Sequence, residues 1–162
     1  MLRRLAFAML PFAALAPAYA QTPVATPAFV TAVAQSDRFE IEEGKIAEAK
    51  GSPEVKSFGE KMVRDHTKLS DEMKAAVEKA GMAAPPPTLR PDQHDMIVKL
   101  QELSGAQFNK TYLTQQIEAH RQALALVETY AKTGDTPAIK AAAEQALPVI
   151  EEHLQIAEKM EM

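Results

Sequence analysis

Apolar residues recur at intervals of three and four along the chain, the spacing of helices that bury one face. One stretch carries them at Val55, Phe58, Met62, Leu69, Met73, Ala76 and Ala80. Another runs Leu113, Ile117, Leu124, Val127, Ala131, and a third Ile139, Ala143, Ala146, Ile150, Ala157, Met160. An earlier stretch is mixed, with Phe29, Val33, Ser36, Glu40, Glu43 and Ala47 on one stripe. The punctuation sets the ends. Thr26-Pro27, Ser52-Pro53 and Thr136-Pro137 place a capping hydroxyl before a proline, the start of a helix. Gly51, Gly81 and Gly134 stand where helices stop, and are expected in the left-handed conformation. Ser104 followed by Gln107 resembles a capping box. The spacing predicts long helices over about 27–50 (α1), 53–80 (α2), 105–133 (α4) and 137–160 (α5). A shorter amphipathic helix over about 92–103 (α3) groups Met96, Ile97, Leu100 and Leu103.

The α1–α2 and α4–α5 turns are only two or three residues long, so each pair is an antiparallel hairpin. Between α2 and α4 lie more than about twenty residues, including the extended run Ala83-Ala84-Pro85-Pro86-Pro87. That is enough chain to travel the length of a bundle. Two hairpins joined by one long crossover, with a short extra helix in it, is the connectivity of an all-α, ferritin-like four-helix bundle.

The first twenty residues read differently. Arg3 and Arg4 precede an apolar run from Leu5 to Leu15, and Ala18-Tyr19-Ala20 places small residues where a signal peptidase cuts. The expected organisation is a cleavable signal peptide over 1–20, a short linker over 21–26 and the bundle over 27–162. The chain is then periplasmic, with peripheral outer-membrane association also compatible. No later stretch has the ~20 apolar residues of a spanning helix, so no transmembrane segment is expected in the mature chain. The chain has no Cys, so its core must hold it without disulfides. Net charge is −4, and −6 once Arg3 and Arg4 are removed, which argues against a nucleic-acid partner. No phosphate loop, dinucleotide fingerprint, nucleophile elbow or zinc-finger spacing is present.

The chemistry lies where the apolar seams are interrupted. The position missing from the α2 rhythm is His66; the α4 seam is broken by His120 and the α5 seam by His153. On α1 the stripe carries Glu40 and Glu43. Buried imidazoles and carboxylates cost several kcal/mol unless paired, hydrogen-bonded or metal-bound. Histidine with carboxylate is a ligand set for Zn, Fe, Mn or Cu. Measured from the α1–α2 turn, Glu40 and His66 differ in height by ~5 Å and Glu43 and His66 by ~9 Å, which favours Glu40. His120 and His153 differ by ~6 Å about the α4–α5 turn, and Pro148 is expected to kink α5 and re-aim His153. The metal set is therefore Glu40, His66, His120 and His153, with Asp65 and Glu43 in reserve. The residues three before the histidines are Val63, Ile117 and Ile150, so a di-iron Glu-x-x-His motif is absent and one metal ion is expected. The competing reading is a metal-free polar network, for example His66 and His153 bonded to Glu40.

The other polar residues read more simply. Asp65 lies about 100° off the seam and is either a second-sphere partner or a solvated charge. His94 falls in the crossover and reads as solvent-facing. Glu118, Glu151 and Glu152 read as surface residues, and Tyr112 and Tyr130 as core residues with wet hydroxyls. The methionines form no copper-like cluster.

Three segments carry a resemblance. They are Phe39-Glu40-Ile41-Glu42 through Gly44-Lys45-Ile46-Ala47 to Val55-Lys56-Ser57-Phe58-Gly59-Glu60-Lys61-Met62-Val63-Arg64-Asp65-His66-Thr67-Lys68, then Leu103-Ser104-Gly105-Ala106-Gln107-Phe108-Asn109-Lys110-Thr111-Tyr112-Leu113, and Leu147-Pro148 with His153-Leu154. Together they resemble the domain-of-unknown-function 4142 family of exported bacterial proteins, over roughly 28–160. Asn109 stands where that family usually has Asp. The resemblance implies a neighbourhood near ferritin-like bundles, and characteristic positions for Glu40, His66, His120 and His153. It carries no activity with it.

Two functions follow as expectations. One is an exported bundle holding a divalent transition metal for buffering or redox and stress protection; any enzymatic chemistry would be metal-centred redox on a small oxidant. The other is a non-enzymatic envelope module, binding a protein or glycan partner, whose histidines form a structural or pH-sensing network.

Overall fold

The computed structural model describes residues 24–162; the expected signal peptide lies outside them. Five helices account for nearly all of the described chain: α1 Thr26–Lys50, α2 Pro53–Lys79, α3 Pro91–Glu102, α4 Gly105–Thr133 and α5 Pro137–Glu161. The expected boundaries hold to within a residue or so. Pro53 and Pro137 occupy first-turn positions, where the missing N–H has no partner to lose.

The caps differ from expectation in their chemistry. Ser52 does cap α2, its hydroxyl accepting from Val55 N at 3.4 Å. Thr26 instead lies inside α1, and its hydroxyl is turned to Tyr130 Oη at 2.5 Å and to Asp135 Oδ1 at 2.6 Å, lashing the start of α1 to the α4–α5 turn. Thr136 and Ser104 make no side-chain cap bond. One half of such a box occurs at α3, where Gln93 Oε1 accepts from Arg90 N at 3.0 Å. Of the three stop glycines only Gly81 is left-handed, at φ 73°. Gly51 and Gly134 are extended, because the next helix starts two or three residues on and the chain must leave at once. α5 runs through Pro148 as one helix.

The expected all-α, ferritin-like arrangement is observed: two antiparallel hairpins joined by the crossover. α1 packs on α2 and α4 on α5; α2 also packs on α5 and α1 on α4. Every neighbouring pair in this ring is antiparallel, and the crossover links the diagonal pair α2 and α4. α3 lies across α1 and α4. No described helix is long and apolar enough to cross a membrane.

Two separate apolar clusters fill the interior. One, around Phe29, Val77, Tyr130 and Ile139, closes the end where α1 and α5 begin. Its centre is a Phe29–Tyr130 stack at 3.9 Å. The other, around Ala47, Phe58, Leu100, Phe108 and Tyr112, closes the opposite end. Between them lies a buried polar layer of Asp37, Glu40, Glu43, His66, Gln116, His120 and His153.

Gly44 and Gly59 set the spacing of α1 and α2 beside that layer. A Cβ on Gly59 would sit 2.7 Å from Gly44 O and 2.8 Å from Ala47 Cβ; one on Gly44 would sit 2.9 Å from Gly59 O. Helix propensity alone makes Gly59→Ala stabilising by about 1 kcal/mol. The contacts are with a rigid neighbouring helix, so overpacking of about 1–3 kcal/mol should win. Thermal melting should show Gly59→Ala below the parent; an equal or higher melting temperature would refute the close crossing.

Candidate metal centre

The three seam histidines converge. His66 from α2, His120 from α4 and His153 from α5 are all nearly or fully buried. Their ring centroids are 5.6, 5.3 and 5.4 Å apart pairwise. One ring nitrogen from each lies within 4.8 Å of the other two.

Each ring spends its other nitrogen on an outward partner. His120 Nδ1–H donates to Gln116 O at 2.8 Å. His153 Nε2–H donates to Asp65 Oδ2 at 3.0 Å. His66 Nδ1 meets Asp37 Oδ1 at 2.9 Å. The nitrogens left without a partner are His66 Nε2, His120 Nε2 and His153 Nδ1. Burial pushes all three imidazoles below their ordinary value, His66 and His153 to about 4 and His120 to about 3. Mutual repulsion among the rings lowers His120 and His153 further, while Asp65 partly offsets the shift at His66 and His153. The rings are therefore neutral near pH 7. A carbonyl can only accept, so His120 keeps its lone pair on Nε2. Hydrogen bonds from His153, Lys61 and Arg64 outweigh desolvation and hold Asp65 at about 2, so it too only accepts, and His153 keeps its lone pair on Nδ1. Two lone pairs are thus buried with no donor to meet them; a third follows once Asp37, which burial pushes up to about 8, gives up its proton and accepts from His66.

Glu40 stands elsewhere. Its Oε2 accepts from Gln116 Nε2 at 2.7 Å, and Gln116 Nε2 also reaches Glu43 Oε2 at 3.0 Å. Glu40 Oε1 approaches only the outward nitrogen of His120, at 3.9 Å. Glu40 and Glu43 thus form a carboxyl pair bridged by an amide, next to the histidine group but outside it. Burial raises both, Glu43 to about 8, and Glu43 raises Glu40 further. The sequence reading missed Asp37, 5 % exposed, which orients His66. Asp37 and His66 each lie fourteen residues from their shared turn, at Gly51 and Ser52, so equal height was the available signal. Asp65 orients His153 rather than standing as a solvated charge. His94 is exposed, as expected. The hydroxyls of Tyr112 and Tyr130 are dry: Tyr130 bonds Thr26, and Tyr112 Oη is buried without a partner.

A ring of imidazoles, each anchored through its second nitrogen to a carboxylate or carbonyl, is the arrangement that orients histidine for a d-block ion. With bonds of ~2.0–2.1 Å the nitrogens would stand about 3.4 Å apart, within reach of small ring movements. Asp65→Asn tests the anchoring. An amide offered to His153 Nε2 favours the tautomer that turns a proton, not a lone pair, into the group. Metal affinity should fall about 10–100-fold. An unchanged dissociation constant by competition with a chromogenic chelator would rule out that role.

The sequence profile of the Domain of unknown function (DUF4142) family matches residues 12–160. The chain belongs to the DUF4142 family. A solved structure described as a DUF305 fragment from Deinococcus radiodurans is similar in fold, with a TM-score of 0.70 at 17% identity. The match covers 85% of the DUF4142 chain and 97% of the DUF305 one. At that identity the likeness speaks for the fold alone. No curated protein matches the chain. The DUF4142 core thus joins a shared helical scaffold to a buried three-histidine group.

Proposed function

We propose that this DUF4142 chain binds one divalent transition metal ion through His66 Nε2, His120 Nε2 and His153 Nδ1, and serves metal buffering or redox protection in the cell envelope. The observation that carries the reading is the set of three buried ring nitrogens left without partners while the opposite nitrogen of each ring is held. A polar network without metal would use those nitrogens on donors in the layer. A pH sensor would need imidazoles that titrate near their ordinary value, and these lie well below it.

Three neutral imidazoles suit Zn²⁺ or Cu²⁺ better than Mn²⁺, which prefers oxygen. Glu40 is not needed as a ligand; three protein nitrogens leave a fourth position for water or a small exogenous molecule. Residues 1–20 supply the export signal in this reading.

Cobalt(II) is a convenient probe, because its visible spectrum reports coordination number and donor type. Titration of the tag-free chain should saturate at one equivalent with a four-coordinate, nitrogen-rich spectrum. Weak, unsaturable absorbance, or the same spectrum from His153→Ala, would overturn the assignment.

A further inference from the structure

We propose that the metal ion reaches the histidine group through the cavity between α1, α3 and α4, with Glu118 and Asp92 at its mouth and Asp37 receiving the ion at its inner end. The proposal rests on the metal reading above and adds a route to it.

The cavity has a volume of about 180 Å³ and is lined at its inner end by Asp37 and His66. That is room for several waters. Asp37 is 5 % exposed, and its Oδ2 has no hydrogen-bond partner. A buried carboxyl oxygen without a partner beside a water-sized space is a natural stopping point for a cation, which there takes the place of the proton that burial favours. At the mouth, Arg90 is neutralised by Asp92 through two bonds of 3.1 and 3.0 Å. Glu118, exposed on α4, leaves the rim net negative.

Cavities of about 380 Å³ beside Asp37 and about 330 Å³ beside Asp65 are lined by none of the three histidines. Both ends of the bundle are sealed by the apolar clusters. The α1–α2 seam is shut by the Gly44–Gly59 contact. On the α2–α5 side Asp65 comes near solvent, but Lys61 at 2.9 Å, Arg64 at 3.0 Å and His153 at 3.0 Å already occupy its oxygens.

The route predicts rates, not affinity. Stopped-flow mixing with Co²⁺ should show Ala119→Leu, which fills the cavity wall, slowing association and dissociation alike by about tenfold or more. The dissociation constant should stay within twofold. Glu118→Lys, on the surface, should slow association several-fold and reverse its salt dependence, and it tests the route should Ala119→Leu fail to fold. Glu152→Lys, on the opposite face, should leave the rate within twofold. Rates unaffected by both cavity variants, or slowed more by Glu152→Lys, would overturn the route while leaving the metal site standing. If the parent chain takes up no Co²⁺, both the site and the route fall together.

Discussion

Replacing His120 by alanine is expected to abolish the stabilisation that Zn²⁺ or Cu²⁺ gives the native chain. An ion that binds only the folded state at a hundred times its dissociation constant adds about 2.7 kcal/mol. For a domain of this size that raises the melting temperature by about 5–10 °C. Burial holds the rings at about 3 to 4, so above pH 5 His120 and His153 bind without first losing a proton, while the His66–Asp37 pair, with Asp37 held at about 8, releases one. Removing one of three nitrogens leaves two in a buried site; Glu40 is bonded to Gln116, and Asp37 and Asp65 are bonded to the opposite nitrogens of the two remaining rings. The metal-induced shift in His120→Ala should be below about 1 °C. The comparison is made within each variant, with and without metal, so any intrinsic loss of stability cancels. A full shift in His120→Ala would place the ion elsewhere.

The metal-free chain should lose stability as pH rises from about 6.5 through 8. Asp37 and Glu43 are pushed by burial to about 8, and Glu40 is raised well above its ordinary value. In the unfolded chain these carboxyls ionise near pH 4. Between pH 4 and 8 the native state therefore holds more protons, and its stability falls as pH rises. The histidines act in the opposite sense. Their native values are depressed, so they contribute stability fully above about pH 6.5 and lose it as pH falls towards 4. Below 6.5 the two sets oppose each other; above it the carboxyls act alone. Each carboxyl contributes at most ~1.4 kcal/mol per pH unit, so the melting temperature should fall by on the order of 10 °C between pH 6.5 and 8.5. Glu43→Gln should flatten the profile. A melting temperature that is constant or rises over this range would show that these carboxyls are ionised in the fold.

Much of this arrangement was legible in the sequence, for specific reasons. The helix limits were marked by Pro53, Pro137 and the glycines, each of which acts through the local backbone. His66, His120 and His153 stood out as single polar breaks in apolar seams, and a buried break must be solved by some partner. What stayed hidden depends on rotation and on neutral residues. Asp37 lies one residue past Ser36, the polar residue on that turn of the stripe. Gln116 reads as an ordinary polar residue beside Ile117, yet its amide takes both Glu40 and Glu43 and so draws Glu40 away from the histidines. The end glycines misled because left-handed stops belong to chains that reverse slowly. At Gly51 the next helix begins within two residues, and Pro53 keeps Ser52 extended.

The central claim is the metal itself, and elemental analysis of the chain purified without a polyhistidine tag tests it most directly. The expected result is about one zinc or copper atom per chain, absent when His66, His120 and His153 are all replaced by alanine. A folded, metal-free chain whose melting temperature ignores added Zn, Cu, Mn and Fe, or a metal content that survives the triple replacement, would contradict it.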